Sequence, residues 1–171
     1  LMGVPSRDKS ILEFDFVPTA NEMFVQYVFG SDEYNEYVGS FNDPFAFFLD
    51  GVNIALIPST TDPVSVGTVN LGSNPSFFKN NDYGDFGGVC PYDLEADGFT
   101  KVFTATGTVV ANASHHIKLV IADQNDHALD SWVFLKSASF STTNPEVPIS
   151  NWALYIGIFL IITFAVIRFR K

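Results

Sequence analysis

The chain has 171 residues, with nine Lys and Arg against 19 Asp and Glu and a formal net charge of −10 at pH 7. Three of the nine cations lie in the last four positions, so residues 1–146 hold six cations against 19 acids, a net −13. A surface of that sign repels phosphate groups, which excludes nucleic acid as a partner, and it attracts cations. About 145 residues before the tail are one domain's worth and enough to bury a core.

In chain order, Leu12, Phe14 and Phe16 alternate with Glu13 and Asp15, the period of a strand with one buried face. Met23 to Phe29 is a second apolar run, and residues 44–49 (PFAFFL) a continuous one that reads as a central strand. Asp50-Gly51 then predicts a tight hairpin turn into Val52 to Ile57. Val64 to Leu71, Lys101 to Val110, Ile117 to Ala122 and Ser131 to Phe140 complete about eight predicted strands. No stretch before residue 150 has a helical period. The expected fold class is therefore all-β, an antiparallel jelly-roll-like sandwich of two sheets. Residues 70–98, rich in Asn, Asp and Gly, predict a long functional loop, and residues 141–150 (STTNPEVPIS) a linker.

Two acidic loops interrupt the strands. Residues 30–43 carry Asp32, Glu33, Glu36, Asn42 and Asp43, and residues 123–131 carry Asp123, Asn125, Asp126 and Asp130. Calcium takes six to eight oxygens, and carboxylates crowded at the end of a rigid sheet supply them. Asp32, Glu33, Asp43, Asp123, Asp126 and Asp130 are thus candidate calcium ligands; the competing reading is of solvated Asx-turn residues. DQNDHALDS lacks the EF-hand pattern. Tyr34, Tyr37, Tyr83 and Phe86 lie in or beside these loops, where they either stack on sugar rings or cover a small core of the loops themselves. Glu13 and Asp15 place two carboxylates on one strand face, and a glycoside hydrolase with paired carboxylates is the alternative reading. His115 and His116 point to opposite faces of a strand and do not suit one ion. Cys90, the sole cysteine, has no basic neighbour to lower its thiol pKa, so no catalytic residue is assigned.

Residues 27–51 (YVFGSDEYNEYVGSFNDPFAFFLDG), 95–100 (EADGFT) and 117–135 (IKLVIADQNDHALDSWVFL) together resemble the choice-of-anchor L domain. That family consists of bacterial and archaeal surface domains set ahead of differing envelope anchors. The likeness covers about residues 10–140 and implies a secreted or surface-displayed β-rich domain whose opening part is missing. It implies no reaction.

The C-terminal segment sets the expected location. Trp152 to Ile167 is an uncharged, apolar run of 16 residues, roughly 24 Å as a helix. Trp152 and Tyr155 mark one interface, and Arg168, Arg170 and Lys171 form a membrane stop at the other. A single transmembrane helix with a cytoplasmic C-terminus and an extracellular domain follows from the positive-inside rule. Pro145, Glu146 and Pro148, followed by Trp152, are similar to PEP-CTERM-like signals processed by exosortases, although Val and not Pro follows Glu146. That resemblance implies an exosortase-type partner and either a permanent anchor or a cleaved one. The expected organisation is a domain over residues 1–140, a linker and sorting motif over 141–151, a span over 152–167 and a basic tail over 168–171. The expected role is a cell-surface binding or adhesion module, with calcium as cofactor and a glycan or envelope protein as ligand.

Overall fold

The computed structural model describes residues 6–124 and 128–145. Nine strands run β1 (Ser6–Phe16), β2 (Glu22–Ser31), β3 (Phe45–Leu49), β4 (Val52–Asn53), β5 (Phe78–Asn80), β6 (Gly98–Thr100), β7 (Phe103–Thr108), β8 (His115–Gln124) and β9 (Ser131–Leu135). They form two antiparallel sheets. The first has the order β1-β8-β3-β4; in the second, β2 is the hub, paired with β6 and β7 along one edge and with β9 along the other. The all-β class expected from the alternation is observed. Among the described residues no helix is long and apolar enough to cross a membrane, and the predicted span over 152–167 lies outside them.

One core joins the sheets. Tyr27 and Phe29 of β2, Phe45 and Phe47 of β3, Phe103 of β7 and Ile117 of β8 are all buried in it. Tyr27 packs on Phe45 with ring centroids 5.2 Å apart and meets Phe103 edge-on at 6.0 Å. On β7 the strict alternation FTATGT puts Phe103, Ala105 and Gly107 inside and three threonines outside. The Asp50-Gly51 turn has φ of 49° and 85°, the two positive values that a right-twisted two-residue hairpin needs.

Three predicted strands are cut short, each by side chains that take over ladder hydrogen bonds. Val64 to Leu71 is not a strand, although Val64, Val66 and Val69 are fully buried. There the Thr68 hydroxyl accepts from Ser65 N at 2.9 Å and donates to Pro63 O at 2.8 Å, and the Asn70 amide donates to Val66 O at 2.9 Å, folding the segment into turns. Val52 to Ile57 shrinks to β4 because Asn53 Oδ1 accepts from Phe47 N and Ala55 N at 3.0 and 3.1 Å. Ser131 to Phe140 ends at Leu135, where Ser139 Oγ donates to Lys136 O and accepts from Gln26 N. The chain then rejoins β2 as a bridge between Ser141 and Phe24. Conversely, β5 arises inside the predicted long loop and β6 at its end, and they pair over Phe78↔Thr100 to Asn80↔Gly98.

Candidate functional site

The polarity of β2 gives the domain two ends. Ser31 pairs with Gly98 and Ser131, so the predicted acidic loops and the end of loop 81–97 meet at that end. Phe24, seven residues back, pairs with Ser141, roughly 23 Å away along a strand. The chain therefore leaves the domain far from the acidic loops.

At the acidic end the carboxylates divide into two kinds. Asp43 is fully buried and acts as a hub: its Oδ1 accepts from Gln124 N at 3.2 Å and its Oδ2 from Ser131 Oγ at 2.7 Å. Ser131 Oγ lies 2.7 Å from Ser31 Oγ, which also accepts from Glu33 N at 3.0 Å. Since Ser131 has one hydroxyl proton and gives it to the carboxylate, the Ser31 hydroxyl donates to Ser131. Asp32 N donates to Asp130 O at 3.0 Å alongside. This chain of bonds ties β2, β8, β9 and the segment leading into β3. Its role is structural.

Asp32 and Asp97 are of the other kind. The Asp32 carboxyl is raised to about 6, by partial burial first and by the charges of Glu95 and Asp130 as well, against a hydrogen bond from the Asp97 backbone that lowers it. Asp97 is also raised to about 6, by partial burial first and then by Asp32, Asp82, Glu36 and Glu95. Asp32 Oδ1 is buried with no hydrogen-bond partner among the described residues. Beside them loop 81–97 is pinned by amides. Asn81 donates to Leu94 O and Ala96 O at 3.0 Å and accepts from Tyr92 N, while Asn35 and Asn80 both donate to Asp85 Oδ2. The acidic end is a concentration of negative charge on a braced frame.

Of the candidate ligands, Asp123 and Asp130 line one small cleft with Asp8 and Lys9. Glu33 is buried, Asp43 is used as above, and Asp126 lies outside the described residues. Among the described residues no three His, Cys, Asp or Glu side chains stand close enough to hold a metal ion. At Asp43 both carboxylate oxygens already serve the backbone and a serine. Asp97 and Asp82 went unassigned from the sequence; the EADGFT segment was the available signal, but only the β2–β6 pairing, Ser31 opposite Gly98, brings it beside Asp32.

The aromatic candidates separate in the same way. Tyr37, Tyr83 and Phe86 are exposed. Tyr34 is a correction: it is fully buried, its hydroxyl donates to Val69 O at 2.7 Å, and its ring packs on Phe78 at 4.7 Å. Gly98 makes this possible, since a Cβ there would lie 2.6 Å from Phe78 and 2.7 Å from Tyr34. Of the predicted sorting motif only Pro145 is described; Glu146, Pro148, Trp152, Arg168, Arg170 and Lys171 lie outside the described residues.

The opposite end carries the histidines. His116 Nδ1 lies 2.7 Å from Asp15 Oδ1 and its Nε2 2.8 Å from Glu13 Oε1, an arrangement that only the doubly protonated ring satisfies. Those hydrogen bonds hold His116 above its ordinary value, with Asp15 the larger cause, and His116 holds Glu13 below its own. His115 bonds Asp50 at 2.6 Å and is raised mainly by it. The paired carboxylates Glu13 and Asp15 thus share one strand face, as expected, but they grip a histidine and do not oppose each other across a cleft. Nothing in that arrangement supports glycoside hydrolysis.

The family model of the choice-of-anchor L domain matches residues 2–141. No curated protein and no solved structure matches the chain.

Proposed function

Because the chain belongs to the choice-of-anchor L domain family, whose members are cell-surface-related modules, we propose that it is a prokaryotic surface binding or adhesion module. In this reading the two sheets form a jelly-roll-type sandwich. The C-terminal segment holds it at the envelope as a single span with a cytoplasmic end, either permanently or until an exosortase-type enzyme acts on it. The observation that carries the proposal is the polarity of the domain: the chain exits at the Ser141 end, and the acidic loops project from the other. An anchored domain then presents Asp32, Asp97 and the exposed rings of Tyr37, Tyr83 and Phe86 outward, to a glycan or an envelope protein. Calcium is the proposed counter-ion of that end. What supports it is the crowding of charge around Asp32 and Asp97, not a ready-made shell.

Cys90 is exposed and unpaired, in the loop that borders the acidic end, and serves as a native probe. A membrane-impermeant maleimide is expected to label Cys90 of the full-length chain on intact cells. Labelling only after permeabilisation would place the domain in the cytosol and end the surface reading. Millimolar calcium is expected to raise the melting temperature more than sodium chloride of equal ionic strength; equal effects would remove calcium from the proposal.

A further inference from the structure

The two sheets do not end together. Phe45 of β3 stacks on Tyr27 of β2, and β8 packs over β9. β1 lies one strand further out, and among the described residues the second sheet has no strand beneath it. The consequence is visible in the inward-facing residues. Leu12 on the inner face of β1 is 52% exposed and Leu135, which pairs with the core residue Tyr27, is 44% exposed. They border a cleft of about 220 Å³ lined also by Leu119, Ile121 and Val133.

The edge above this cleft and the edge below it differ in chemistry. Edge strands are normally blunted by charge, proline or bulges, because an unpaired ladder recruits other strands. β1 carries Asp8, Lys9, Glu13 and Asp15. β9 reads SWVFL, with no charge and no proline. Its ladder to β2 is fixed at both ends, by Asp32 N donating to Asp130 O and Lys136 N donating to Gln26 O. Antiparallel alternation from those two points turns the main-chain N–H and C=O of Val133 and Leu135 away from β2, toward the side where no described strand pairs with β9. The exposed apolar surface of Leu12, Phe14, Leu135 and Phe140 is on the order of 350 Å², taking ~200 Å² per large apolar residue. A stable dimer needs about 800 Å² per partner, so this face suits one strand and not a second globular copy.

We propose that the free edge of β9, beneath β1, accepts one extended strand from another polypeptide, with apolar side chains at alternate positions filling the cleft. The backbone of Val133 and Leu135 supplies the hydrogen bonds, and Leu12 roofs the inserted side chains. This site is independent of the acidic end and of any cation there.

The probe is a blocked heptapeptide of alternating threonine and valine, added at millimolar concentration to the full-length chain in a mild non-ionic detergent. Amide hydrogen exchange read by NMR is expected to slow about tenfold or more at Val133 and Leu135, with the amides of Trp132 and Phe134, which face β2, unchanged. Leu135→Pro removes an N–H that faces away from β2, so the fold keeps its own ladder and peptide protection is lost. Leu12→Asp, at an already half-exposed position, is the second variant and is expected to weaken binding about tenfold. Three results would overturn the proposal. One is no protection by the peptide. Another is full protection of both amides in the peptide-free monomer, which would mean that the chain's own remaining segments cover the edge. The last is a dimer in sedimentation that Leu135→Pro dissolves.

Discussion

Asp97→Asn is expected to stabilise the domain at pH 8 and to leave it unchanged at pH 4. In the folded chain the Asp97 carboxyl is raised from 3.8 to about 6, by partial burial and by the charges of Asp32, Asp82, Glu36 and Glu95. A raised carboxyl holds its proton more tightly in the native state than in the unfolded one, so folding is penalised wherever the group must be ionised. The penalty is absent well below pH 3.8, grows between pH 3.8 and about 6, and is complete above that. Two units at ~1.4 kcal/mol each would be about 3 kcal/mol, but the group is largely open to solvent, and screening reduces the net to about 1 kcal/mol. For a domain of this size that corresponds to a rise of about 4 °C in melting temperature. The backbone N–H of Asp97 that serves Asp32 is retained in the variant. Thermal melts of both proteins at pH 4, 6 and 8 would read the difference. An equal gain at pH 4 and pH 8, or no gain at pH 8, would refute the electrostatic account.

Asp43→Ala is expected to cost about 3 kcal/mol in urea denaturation, because it strips the acceptors from Gln124 N and Ser131 Oγ in a fully buried setting. Ser131→Ala should cost about 1 kcal/mol, and the double variant less than the sum; strict additivity would deny that they act as one network. At the opposite end, His116→Gln is expected to flatten the loss of stability above pH 6.5. A histidine raised by Asp15 and Glu13 stabilises fully below its unfolded value and loses that contribution as pH climbs through the folded one. Melting curves between pH 6 and 9 that ran parallel for both proteins would count against the His116 clamp.

The strands that the sequence made legible are those in which side chains alternate without interference. Phe103 to Thr108 is one such case, and the Asp50-Gly51 turn is another, because two positive φ values leave few residue choices. Val64 to Leu71 carries the same β-branched residues yet forms turns, since Ser65, Thr68 and Asn70 offer the backbone nearer partners than a ladder would. Composition ranks a valine-rich run as a strand; it does not register three polar side chains spaced to bond the chain between them. β5 and β6 were hidden for the converse reason. Three residues each, set among Asn, Asp and Gly, they exist only because residues 81–97 fold back and pair them.

The candidate site divides along the same line. That residues 30–43 and 123–131 are acidic is plain from the letters, but which acids are structural depends on contacts between distant strands. Asp43 is consumed by Ser131, 88 positions away, and Asp97, never singled out, is the one that shares its field with Asp32. Tyr34 shows how little local polarity says about burial: it sits in a loop of Asp, Glu and Asn and is nonetheless enclosed, because Gly98 leaves room for it against Phe78. The direction of the acidic end is equally invisible in one dimension. Ser141 lies ten residues after Ser131 and follows it closely in sequence, yet the bridge to Phe24 sends the outgoing chain to the far end of β2. That single pairing sets the acidic loops opposite the exit. A variant that broke it, leaving the linker free to leave from any face, would retain the charge of the site and lose its orientation.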